Sequence, residues 1–181
     1  MPAETGDAVV FDHGAIVDGT DPLGVGAGDA PPGTYALVFV IDPAATITVG
    51  ALGSGEFPPG AYAYVGSAFG SNGLGRVDRH RRVADGSHDV RHWHVDYLGS
   101  HPNTSLTAVV AAPYADIECK LATALRRRVA SGDDTATPIA GFGASDCECP
   151  THLVGGDDQK SVRAAVVKSI RELRSTSGVE A

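Results

Sequence analysis

At 181 residues and 43% hydrophobic content, the chain is long enough to close one compact core. Its formal net charge of −8 excludes general, unlocalised adhesion to nucleic acid or anionic membrane, because the average field repels phosphate, so any phosphate-facing surface must be a local patch. Arginine exceeds lysine and aspartate exceeds glutamate, as in halophile-like acidic proteins working in concentrated salt, so the acidity reads as solvation of the exterior and not as a clue to substrate.

No apolar run approaches the roughly 18–20 residues that span a bilayer, and MPAETGDAVVFDHG lacks the basic-then-apolar layout of a signal peptide. A cytoplasmic protein without a membrane partner is expected. Three cysteines, two of them only one residue apart, do not make a secreted disulfide framework.

In chain order, residues 1–32 read as an acidic, Gly/Pro-rich arm, partly ordered, with short apolar elements at 8–11 and 15–17 that can add a strand to a sheet edge. Residues 33–154 form the main domain. TYALVFVI at 34–41 is apolar on both alternating faces and predicts a central strand covered on both sides. A short strand follows at 46–49, then a long turn at 50–60, then a third strand at 61–67 on which Tyr62 and Tyr64 share a face. Residues 74–84 predict a basic helix on which Arg76 and His80, four apart, point the same way with Arg79 beside them. The alternation of residues 92–98 predicts a strand with His92 and His94 on one face and Trp93 packed on the other, and 106–111 predicts a further strand. Residues 115–130 form the clearest helix. Its apolar stripe, Leu121, Ala122, Leu125 and Val129, extended back one turn, lands on Glu118. Residues 131–137 read as a polar connector, 155–174 as a C-terminal amphipathic helix packed on the domain, and 175–181 as a disordered tail.

Gly33-Thr34-Tyr35 opening one strand, Tyr64-Val65-Gly66 ending another, then Arg76, His80 and Glu118 on two helices, resemble the GIY-YIG nuclease superfamily. FPPGAYAYVGSAFG, HWHVDYL, the Glu118-Cys119 pair and GFGASDCECPTHL are similar to its Uri-type branch of small prokaryotic proteins, over about 33–153. Thr34 and Val65 stand where that pattern has isoleucines, and a strand and long turn lengthen the connection between the half-motifs. The resemblance implies an α+β fold with a small central antiparallel sheet flanked by helices. It also implies hydrolysis of phosphodiester bonds in nucleic acid, DNA before RNA, with one Mg²⁺ or Mn²⁺. On that reading Tyr35 or Tyr64 orients or deprotonates the attacking water, Arg76 contacts the scissile phosphate, His80 assists, and Glu118 holds the metal. The chemistry suits these types: a phosphorane gathers negative charge that a guanidinium and a cation stabilise, and a free phenol, with a pKa of about 10, needs nearby positive charge to act as a base.

Other readings stand beside it. Arg79, Arg81 and Arg82 face nucleic acid or form a solvated face. His92 and His94 are accessory to the site or structural. Cys147, Cys149 and His152, with Cys119, have the composition of a zinc site, but Cys-x-Cys is tighter than the usual chelate and the sequence favours thiols packed beside a turn. A catalytically inactive nucleic-acid-binding module of the same fold is the alternative function, and a zinc-stabilised interaction domain the third.

Overall fold

The computed structural model describes residues 7–129, 139–145 and 147–177. Asp146, the expected connector at 131–137, and residues 1–6 and 178–181 of the expected arm and tail lie outside the described residues. Among the described residues the chain lays down β1 (Val9–Phe11), α1 (His13–Asp18), β2 (Gly33–Ile41), β3 (Ala45–Thr48), β4 (Ser54–Phe57) and β5 (Gly60–Ala68), then α2 (Arg76–Ala84) and α3 (His94–Gly99). These are followed by β6 (Thr104–Pro113), α4 (Glu118–Val129), β7 (Leu153–Gly156) and α5 (Gln159–Ser177).

The fold is mixed α+β: a five-stranded antiparallel sheet in the order β1-β6-β2-β5-β7, with a separate β3-β4 hairpin. β2 sits at the centre because its side chains are apolar on both faces. Tyr35, Leu37, Phe39 and Ile41 point to one layer; Ala36 and Val38 point to the other. Leu74, Val77, Val95 and Leu98 from the α2–α3 region, with Ile47 and Phe57 of the hairpin, cover the first layer. Leu121 and Leu125 of α4 and Val162, Val166 and Ile170 of α5 cover the second. The first-layer residues are mostly large and the sheet's second face is mostly Ala and Val, so α4 and α5 pack close to the strands.

The N-terminal segment joins this core. β1 pairs with the edge of β6, and Phe11, Ile16 and Val25 are buried. The buried Asp21 carboxylate accepts N–H bonds from Leu23, Val25 and Gly26, which satisfies backbone that would otherwise be orphaned in the loop.

The structure corrects several expectations. Residues 92–98 are not a strand: α3 begins at His94, and Val95, Leu98 and Gly99 are buried at helical spacing. The signal that overrides the alternation is Asp96, whose Oδ2 accepts the N–H groups of His92 and Trp93 at 2.8 and 3.0 Å and so fixes a helix start. Trp93 is not packed in the core; it stays 37% exposed. The turn at 50–60 contains β4, whose Gly- and Ser-rich sequence hides a strand anchored by the fully buried Phe57. β7 carries no strand signal of its own, since LVGG is too short and Gly-rich to read as a strand until β5 supplies its partner. Tyr114, at φ 62°, turns the chain after β6, so α4 starts at Glu118 instead of 115. α5 continues to Ser177, past the expected end at Arg174.

Candidate active site and metal cluster

The two half-motif glycines have a steric reason on this sheet. Gly33 pairs with Ala68 and Pro113, and a Cβ there would lie 2.5 Å from the Ala112 carbonyl oxygen. Gly66 is opposite Tyr35 in the register, and a Cβ there would lie 2.5 Å from the Tyr35 ring. The tyrosine therefore lies across the bare backbone of its neighbouring strand. Tyr64 stands beside it at 6.4 Å between ring centroids, and His80 of α2 is 5.8 Å from Tyr35 and 6.3 Å from Tyr64.

A hydrogen-bonded chain runs through this aromatic cluster. Tyr35 Oη and His80 Nε2 are 2.8 Å apart, and His80 Nδ1 is 3.3 Å from Asp96 Oδ1. An ionised carboxylate only accepts, so Nδ1 carries the imidazole proton and Nε2 accepts the Tyr35 O–H. Burial lowers the His80 pKa, outweighing Asp96, and keeps the ring neutral. Burial alone would raise the Asp96 carboxyl, but hydrogen bonds from His80, Arg79 and the Trp93 and His92 N–H groups hold it well below the carboxylate range. Arg79 completes the pair with a fork onto both oxygens, at 3.1 and 3.0 Å, and also reaches the Val90 carbonyl. Sequence reasoning missed Asp96, because a strand would have pointed it elsewhere; a helix starting after HWH would have found it at the third position.

Arg76 donates to the Ser67 carbonyl at 2.7 Å, which holds it against the end of β5. Its guanidinium carbon lies 5.0 Å from the Trp93 ring centroid, and that of Arg79 lies 4.2 Å away. Glu118 arrives from the opposite layer. The Thr34 hydroxyl donates to the Ala115 carbonyl at 2.7 Å and accepts the Ile117 N–H at 3.1 Å, which straps the entrance of α4 to the start of β2. Both phenols then feel both charges. Burial raises Tyr35 well above 10, with Tyr64 and Glu118 adding and Arg76 opposing. Tyr64 is also raised, by burial first, then Glu118, again against Arg76. Both are protonated at neutral pH. Tyr35 is committed to His80, whereas the Tyr64 hydroxyl has no hydrogen-bond partner among the described residues. The structure thus packs Tyr35, Tyr64 and His80 together, sets Arg76 at the end of β5, and places Glu118 against His152.

It treats the remaining candidates differently. Arg81 is spent on Asp78 and Asp85, and Arg82 pairs with Asp78 at 3.2 Å but keeps 46% of its side chain exposed. His94 Nδ1 accepts the Gly143 N–H at 2.9 Å and so pins the loop before β7; His92 is exposed and only edges against Trp93. Tyr62 donates to the Pro58 carbonyl and packs on Phe57, with burial raising its pKa to about 12.

Cys119, Cys147, Cys149 and His152 form a group that could hold a metal ion, their donor atoms all lying within 4.8 Å of one another. The thiols expected to pack beside a turn thus stand in one group with His152 and Cys119, which needs α4 and the β7 loop to meet. His152 Nδ1 is 3.3 Å from Glu118 Oε1, so the cluster adjoins the tyrosine site.

Together these features define an α+β domain, its sheet covered on both faces, with a Tyr-His-Asp chain at the sheet end and a Cys₃His group beside it. The chain belongs to the family of the domain of unknown function DUF123, whose model matches residues 34–175. That span begins at the Thr34 strap and takes in every candidate residue above. No curated protein and no solved structure matches the chain. Among the described residues, no helix is long and apolar enough to cross a membrane.

Proposed function

We propose that the protein is a GIY-YIG-type endonuclease that hydrolyses phosphodiester bonds in nucleic acid, DNA before RNA, with one Mg²⁺ or Mn²⁺. The observation that carries the reading is the packing of Tyr35, Tyr64 and His80 against one another at the sheet end, with Arg76 held against the end of β5 and Glu118 opening α4 beside His152. Glu118 suits a hard cation: it is partly exposed, it opens a helix, and only Oε1 faces His152. A divalent ion there would neutralise charge on the scissile phosphate and on a neighbouring phenolate.

The chain's own residues divide the rest. Arg76, held by Ser67, contacts the phosphate. Tyr64, with its hydroxyl uncommitted, holds the attacking water, and Tyr35 backs it while His80 and Asp96 fix the direction of the Tyr35 proton. Neither phenol is a base in the resting chain, because burial keeps both protonated. Base function therefore waits for substrate and metal, which makes cleavage strictly metal-dependent.

The test is incubation with structured and unstructured DNA and RNA in Mg²⁺ or Mn²⁺. Arg76→Ala is expected to lower cleavage on the order of 10²–10³-fold, the usual effect of removing one group that stabilises transition-state charge. Glu118→Ala is expected to abolish it; wild type and Glu118→Ala equally active, or equally inert, would sink the assignment.

The second reading, a binding module without turnover, is favoured by the part-exposed Trp93 with the Arg76 and Arg79 guanidinium groups over its ring, and by the exposed Phe69 just after β5. Such a surface stacks bases. It predicts salt-sensitive binding weakened by Trp93→Ala with no metal-dependent product.

A further inference from the structure

Cys119 lies in the first turn of α4, Cys147 and Cys149 in the loop before β7, and His152 at the entrance of β7. His152 Nε2 is 3.3 Å from Cys147 Sγ and 4.0 Å from Cys119 Sγ. A tetrahedral ion with metal–sulfur bonds of about 2.3 Å and metal–nitrogen bonds of about 2.0–2.1 Å sets its donors roughly 3.5–3.8 Å apart. The two His152–sulfur separations fall on either side of that range, and all four donors lie within 4.8 Å of one another. All three sulfurs are free thiols, and a soft S₃N donor set selects zinc over magnesium.

The imidazole is aimed by its backbone. The His152 N–H donates to the Phe142 carbonyl at 2.7 Å, and its own carbonyl accepts the Val65 N–H at 2.9 Å. The ring's other nitrogen, Nδ1, is buried and has no aligned hydrogen bond, yet Glu118 Oε1 stands 3.3 Å away. An imidazole that ligates through Nε2 carries its proton on Nδ1 and directs it to a carboxylate outside the coordination sphere. The placement of Glu118 beside Nδ1 suits an imidazole whose Nε2 is turned to the sulfurs.

We propose that Cys119, Cys147, Cys149 and His152 bind one zinc ion in a closed tetrahedral site, with Glu118 as the outer carboxylate that holds His152 in its ligating tautomer. The four ligands leave no open position, so the ion is structural: it fastens the loop before β7 to the first turn of α4 and thereby sets where Glu118 sits. This assignment does not depend on whether the neighbouring tyrosines support cleavage.

The full chain, purified without added metal and analysed by atomic emission, is expected to carry one zinc per chain. Cobalt substitution is expected to give thiolate-to-metal charge-transfer absorption. Cys147→Ser is expected to lose both, and Arg76→Ala, outside the cluster, to keep both. Glu118→Gln keeps the stoichiometry but weakens affinity about tenfold to a hundredfold in competition with a chromogenic chelator. A wild-type chain that lacks zinc and takes none on refolding in zinc, or that carries iron instead, overturns the site. Wild-type affinity in Glu118→Gln overturns the role given to Glu118.

Discussion

A methyl group at position 66 would meet the Tyr35 ring at 2.5 Å, with the ring itself pinned by His80 on its far end. Neither can retreat cheaply, because Tyr35 is 1% exposed and packed on all sides. Gly66→Ala is therefore expected to cost about 1–3 kcal/mol, as overpacking of a close-packed core does, and to break the Tyr35–His80 bond; a denaturant titration measures the first and the tyrosine's near-UV dichroism the second. An unchanged midpoint would mean that the strands separate more easily than their register implies. The residues of this site were legible by identity and invisible by neighbourhood: Tyr35, Tyr64, Arg76, His80 and Glu118 could be picked from the sequence, but the Tyr-His-Asp chain depends on Asp96, whose role appears only when α3 turns its first helical turn toward α2.

α2 and α3 are clasped at that point. Asp96, with its side chain fully buried, takes a fork from Arg79 and one bond from His80, so the joint holds one anion, one cation and a neutral imidazole. Removing Arg79 leaves a buried carboxylate with only dipolar partners. Arg79→Ala is expected to destabilise the chain by about 3–5 kcal/mol, read from thermal or denaturant unfolding, which makes it an unsound probe of nucleic-acid contact. Arg82→Ala, at an exposed pair, is the sound one and should leave stability within about 0.5 kcal/mol. The joint also has a pH signature. The folded pKa of His80 lies below the unfolded value of about 6.5, so its contribution is complete above that pH and is lost as pH falls below it. Asp96, also depressed, contributes fully above the unfolded carboxyl value of about 3.9 and loses that contribution as pH falls further. Both slopes have the same sign. Unfolding midpoints followed downward from pH 7 should fall in two stages, to the first of which His94, also lowered by burial, adds and His152, raised, opposes; His80→Gln should shrink that first stage, and an unchanged profile between pH 7 and 5 in that variant would contradict the neutral buried histidine.

At the scale of the whole molecule, the sequence displayed the parts whose periodicity is carried by apolar side chains. β2, β5, α2, α4 and α5 were legible because each buries a face that its own residues mark. The parts that stayed hidden owe their shape to partners distant in the chain. β4 is a strand through β3, β7 through β5, and α3 a helix through one capping carboxylate. The Cys₃His group is the extreme case, since Cys119 is nearly thirty positions from Cys147 and no spacing rule links them. The acidic balance that reads as exterior solvation coexists with a tightly paired interior: Arg79 and Arg81 are mostly enclosed and answered by Asp78, Asp85 and Asp96.

The strap from Thr34 to the entrance of α4 has a consequence in time. The tyrosines belong to one layer of the sheet and Glu118 opens a helix on the other, and His152, just before β7, lies 3.3 Å from Glu118. During synthesis, the two tyrosines and Arg76 leave the ribosome well before His152 does. A copy made only as far as α3 therefore holds Tyr35, Tyr64, Arg76 and His80 without Glu118, and the Cys₃His group is complete only once His152 has followed.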